Sequence, residues 1–136
     1  MNDRFFKSLS LTFAAGCLGG LLNSLAIWIS GTTELTAHFN VNIIPAMTTD
    51  WLYPRIIYGG LWGFLFLLPF LKRSYLFRGL IYSLAPSAVQ LLIILPFCEH
   101  QGFLGTKLGD MTPVFVLGVN GIWGISSGLW LQYTEK

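Results

Sequence analysis

The chain has 136 residues, 54% hydrophobic and only 10% charged. A soluble domain carries about 25% charged residues, and one this short buries only about two-thirds of the surface its unfolded chain exposes, which excludes water as the solvent for so much apolar side chain. A formal charge of +2 is too small to draw in nucleic acid, so the positions of the charges carry more information than their sum.

Four stretches hold no charge at all: 8–33, 56–71, 79–98 and 111–134. A helix crosses about 30 Å of hydrocarbon with about 20 apolar residues. This predicts an all-α integral membrane four-helix bundle, one transmembrane domain over residues 1–136, with spans at about 9–30, 53–71, 78–97 and 112–133.

The first span follows the basic Arg4 and Lys7. Ala14-Ala15-Gly16-Cys17 resembles the end of a lipoprotein signal, but the apolar run continues through Leu21, Leu22, Leu25 and Ile29. A signal's apolar region stops after about 7–15 residues, so a span is the better reading. Gly16 and Gly20 form a stripe of small residues that leads to Asn23. The segment 31–52 is too apolar to float in water, with Phe39, Val41, Ile43, Ile44, Pro45 and Met47. It is expected to lie in the interface, cap the bundle or line a vestibule.

The second span is short unless Arg55 counts within it, its head snorkelling to the lipid headgroups. It carries Gly59, Gly60 and Gly63 around Trp62. The turn at 72–76 is so brief that the second and third spans should be antiparallel neighbours. Pro86 should kink the third span and free the carbonyl near Tyr82, beside Ser87 and Gln90. Cys17 and Cys98 should differ in depth by roughly 20 Å, too far for a disulfide. In the fourth span Gly118, Gly121, Gly124 and Gly128 recur at helical spacing on one face.

In lipid, helices associate through close backbone packing rather than apolar burial. The glycine faces of the first and fourth spans are therefore the expected helix-packing interface, inside the bundle or, on the fourth helix, against a second copy or a partner. Gly60-Leu61-Trp62-Gly63 and Gly121-Ile122-Trp123-Gly124 each follow a Met-Thr pair, which fits two helical hairpins arranged as a parallel repeat. Trp62 and Trp123 fall at mid-span, and a buried indole N–H needs an acceptor. Asn23, Ser87, Gln90 and Asn120 supply the candidates, so these six residues are expected to form an intramembrane polar cluster.

With the N-terminus in the cytoplasm, that side holds Arg4, Lys7, Lys72, Arg73, Arg78 and Lys136, and the other only Arg55 and Lys107. The positive-inside bias then puts both termini in the cytoplasm. No ionisable residue falls in the core of a predicted span, which argues against a proton-coupled pump. His38 and His100 read as solvated loop residues. No phosphate-cradling, zinc-protease, dithiol or nucleophile-elbow motif occurs, so neither an enzyme nor a cofactor or metal site is predicted.

Tyr53-Pro54-Arg55, Gly59-Gly60-Leu61-Trp62-Gly63, Pro86-Ser87-Ala88-Val89-Gln90 and Asn120-Gly121-Ile122-Trp123-Gly124 together resemble a family of small bacterial four-span inner-membrane proteins without a characterised function. The resemblance spans nearly the whole chain and implies a bacterial inner-membrane location but no activity. The expected role is a non-enzymatic membrane protein acting through helix–helix contacts, as a homo-oligomer or an accessory subunit. The alternative is a passive channel or facilitator for a small solute lined by Asn23, Ser87, Gln90 and Asn120.

Overall fold

The computed structural model describes residues 3–68 and 74–134, and these are all helix and loop. Helix α1 (Asp3–Thr32) has 30 residues, about 45 Å of helix at 1.5 Å per residue. It starts earlier than the charge-free stretch suggested, since Asp3 suits a first turn. At its end the Ile29 carbonyl, which already accepts the Thr33 N–H at 2.9 Å, also accepts from the hydroxyls of Thr32 and Thr33, at 3.1 and 2.7 Å. A single turn, α2 (Leu35–His38), and an extended segment follow.

Helix α3 (Thr49–Gly63) starts at a Thr48 cap whose hydroxyl accepts from the Trp51 N–H at 3.2 Å. It tightens into a 3₁₀ segment at Phe64–Leu67. The end of the predicted second span and the Lys72–Arg73 turn lie outside the described residues. Ser74 then caps α4 (Tyr75–Tyr82) through the Phe77 N–H.

The predicted third span is one helical run, Tyr75–Cys98, in three pieces. A break at Ser83 separates α4 from α5 (Leu84–Val89), and Gln90–Cys98 is a π-helix. The break falls three residues before Pro86, where the proline has no N–H to return. The ladder resumes at the next residue, Ser87, whose N–H and hydroxyl both donate to the Ser83 carbonyl, at 3.2 and 2.8 Å. The π-helix was not foreseen. Pro96 interrupts the regular ladder, and the run ends in the wider register, with the Glu99 N–H on the Ile94 carbonyl at 2.9 Å. After a 3₁₀ segment at Phe103–Leu108, interrupted by left-handed Leu104 and Gly105, α6 (Thr112–Thr134) is the last element among the described residues. Three helical runs, Asp3–Thr32, Tyr75–Cys98 and Thr112–Thr134, are long and apolar enough to cross a membrane.

Helices α1 and α6 pack together at the centre, with α3 packed on α1 and α4 packed on α6. Glycine sets these approaches. A methyl group at Gly16 would sit 2.9 Å from the Cα atoms of both Gly60 and Gly63, and one at Gly59 would sit 2.8 Å from the Gly20 Cα. On α6, Gly124 rests on the backbone of Gly79 and Gly128 on that of Tyr75. The glycines expected to share one face therefore divide. Gly124 and Gly128 are buried against α4, while Gly118 and Gly121 have nothing within 4 Å of where a Cβ would be. Gly121 and Gly118 lie further along α6 than the contact with α4, which meets Gly128 at Tyr75 and Gly124 at Gly79 and ends at Tyr82.

The second and third spans are not neighbours along their length, as the short turn suggested. They meet chiefly at one end, where Phe66 packs edge-on against Tyr82 with ring centroids 5.3 Å apart and the Arg78 guanidinium donates to the Phe66 carbonyl at 2.7 Å. A short turn constrains only the end it joins. Further along, the glycine contact holds α3 on α1 while α5 follows α6, and the two diverge.

At the opposite end the long segments meet each other. The Asn42 N–H donates to the Leu108 carbonyl at 2.7 Å, and Gly109, with φ of 145°, lies directly against Asn40, where no side chain would fit. This loop end covers a small core of Leu91, Leu95 and Val116.

Candidate functional site

The gap between α3 and α5 is a cavity of about 530 Å³. Its floor is α1 and α6, through Gly20, Asn23, Asn120 and Trp123. One wall is Arg55, Tyr58, Gly59 and Trp62 of α3, and the other is Pro86, Val89, Gln90 and Ile94. A second hollow of about 300 Å³ lies toward the loop end, under Asn42, Ile43, Ile44 and Pro45. Arg55, Gln90 and Glu99 line both, so they stand where the two join.

A directed chain of hydrogen bonds crosses the floor. An Arg55 Nη2–H donates to Asn23 Oδ1 at 2.8 Å. Asn23 Nδ2 donates to Asn120 Oδ1 at 3.1 Å and to the Val119 carbonyl at 2.7 Å. Asn120 Nδ2 donates to Ser87 Oγ at 3.0 Å, and the Ser87 hydroxyl donates in turn to the Ser83 carbonyl at 2.8 Å. Gln90 Oε1 lies 3.5 Å from Asn120 Nδ2, at the limit of a hydrogen bond. Both ends fix the amide orientations. Arginine can only donate, so Asn23 must turn its oxygen to Arg55, and its NH₂ then faces a carbonyl that can only accept. Asn23, Ser87 and Asn120 are 5%, 1% and 7% exposed, which makes each missing partner expensive.

The structure therefore brings Asn23, Ser87, Gln90 and Asn120 together, and both tryptophans line the same cavity. The Trp123 N–H, however, finds none of the four. It donates to the Gly59 carbonyl at 3.2 Å, because the glycine contact of α3 with α1 leaves that backbone bare. Ser127 likewise donates to the Ala15 carbonyl at 3.1 Å. Beyond Trp123, the space is filled by Ala15, Phe66, Tyr82 and Leu131. The cavity is thus blind toward the end that holds the start of α1.

Arg55 is the largest departure from expectation. Its side chain turns inward instead of reaching for headgroups. Nε–H donates to Ser24 Oγ at 2.9 Å, and the guanidinium stands 5.0 Å from the Trp51 ring centroid. An ionisable group does face the interior, contrary to the sequence reading. A signal for it existed. Arg55 and Gly59 are one helical turn apart, so a glycine that faces α1 places the arginine on the same face, opposite Asn23-Ser24. Glu99 carried no such signal, since it lies just past the π-helix, whose wider register was not foreseen.

Compared with protein-family models, with curated proteins and with solved structures, the chain matches none. The geometry is what remains to indicate a role.

Proposed function

We propose that the chain crosses a cell membrane four times, with its loop end outside, and holds a small polar solute in this cavity as a facilitator. The observation that carries the reading is the buried donor chain from Arg55 to Ser83 laid along the floor of an open cavity. Polar groups this deep in an apolar chain are expensive and mark solute pathways. Cavities of this size, largely apolar with a few convergent polar groups, are the usual form of small-molecule sites.

The crossing that joins the three long apolar runs is the second in chain order, α3 with its 3₁₀ extension. Fifteen α-helical residues and four 3₁₀ residues give about 30 Å of rise, enough for the hydrocarbon core. Gly63 and Gly124, the last residues of the two matched motifs, each touch the helix that begins their own hairpin, at Gly16 and Gly79. That agrees with a parallel repeat. The aromatic cluster around Phe66, Tyr82 and Trp123 is the closed gate in this conformation.

Flux in liposomes tests the reading. The purified chain should pass at least one small polar solute, and Gln90→Leu should abolish that flux without changing the size of the complex. Absence of flux and of binding across a panel of polar solutes would remove it.

A second reading, a subunit that works through helix–helix contacts, keeps one specific support. Gly118 and Gly121 are the glycines of α6 that the bundle leaves uncovered. Its measurement is the mass of the native complex in nanodiscs. Several copies, or a bound membrane partner, lost on Gly121→Leu would favour it, and a single chain would count against it.

A further inference from the structure

We infer that the solute is a zwitterion, with its carboxylate on Arg55 and its ammonium group toward Glu99. This rests on the solute-binding reading above and names the class it would take.

The guanidinium has five N–H donors in a planar fork. Its side edge, Nε and one Nη2 hydrogen, is committed to Ser24 and Asn23. The chain accepts nothing from the end edge among the described residues, and that edge keeps two parallel N–H donors for a bidentate carboxylate. Ser24 and Asn23 are themselves 0% and 5% exposed, so the fork is fixed in orientation before any ligand arrives. A preset guanidinium is a carboxylate receptor rather than a mobile surface charge.

Glu99 sets the other half. It lines the same two hollows as Arg55, and its charge is near enough to act on the guanidinium. The site as a whole is therefore close to neutral. A simple anion would satisfy Arg55 but leave Glu99 facing an added negative charge across the same hollow. A simple cation would meet the converse problem. A molecule that carries both charges enters between the two side chains and leaves the total unchanged.

The test uses the full chain in nanodiscs and calorimetric titration with an α-, a β- and a γ-amino acid, acetate, methylammonium and glycerol. At least one amino acid should bind about tenfold or more tighter than acetate or methylammonium. Glu99→Gln, a change at an exposed position, should erase that preference and bring acetate to within a few-fold. Arg55→Lys should weaken the amino acid by about tenfold or more, because a point charge replaces the fork. Acetate binding as tightly as the zwitterions, or an unchanged preference in Glu99→Gln, overturns the inference. If no amino acid binds while glycerol still crosses liposomes, the inference falls and the facilitator reading stands. If nothing binds and nothing crosses, both fall.

Discussion

Asn23 is the residue on which the interior depends most. It accepts from Arg55 and donates to both Val119 and Asn120, so one side chain joins α1, α3 and α6. Asn23→Leu would leave a buried charged donor without its acceptor and a carbonyl without its donor. We expect a loss of about 1–3 kcal/mol, above the average of about 0.6 kcal/mol for interhelical hydrogen bonds in membranes. Unfolding in mixed micelles would measure it, and a loss no larger than that average would show the chain of bonds to be incidental. Asn23 and Asn120 were legible as a polar cluster because amides are rare in apolar helices. The inward turn of Arg55 was harder to read, because its distance from mid-span is compatible with either direction.

At the scale of the helix, glycine divides into positions that hold the bundle and positions that do not. A methyl group at Gly124 would sit 2.6 Å from the carbonyl carbon of Gly79, which is backbone and cannot yield. Gly124→Ala should lower stability by about 1–3 kcal/mol. At Gly121 the same methyl meets nothing within 4 Å. Gly121→Ala should be neutral or raise stability by about 0.5–1 kcal/mol, since alanine favours the helix. The pair is measured together, in the same unfolding assay, and equal effects would contradict the packing described. Both glycines belong to one stripe in the sequence, at helical spacing. Only the position of α4 separates them, and that position comes from the Gly79 contact on a distant segment.

Across the whole molecule, the divergence of α3 from α5 makes a cavity with one mouth. A membrane-impermeant thiol reagent applied outside intact cells should label a Gln90→Cys variant and native Cys98, which is exposed near the loop end. With Cys98 replaced by serine, it should still label Gln90→Cys and leave Ser127→Cys unlabelled, since position 127 is fully buried beyond Trp123. Labelling of Cys98 only after the cells are opened would reverse the proposed orientation. Equal labelling at 90 and 127 would mean a through-pore rather than a blind cavity.

Composition and the charge-free stretches determined by themselves that the chain is helical and apolar enough to span a membrane, since hydrogen bonding in lipid leaves a helix few alternatives. They also placed the ends of α1 and α6 within a few residues or one to two turns, and they marked the amides. What the tertiary structure decided was which surfaces meet. Helical periodicity specifies that residues share a face, but not which neighbour that face finds. In this chain the answer came from a few backbone contacts between glycines far apart in sequence. Those contacts drew α3 onto α1 and α4 onto α6, and they left between α3 and α5 the space that Arg55 and Glu99 line.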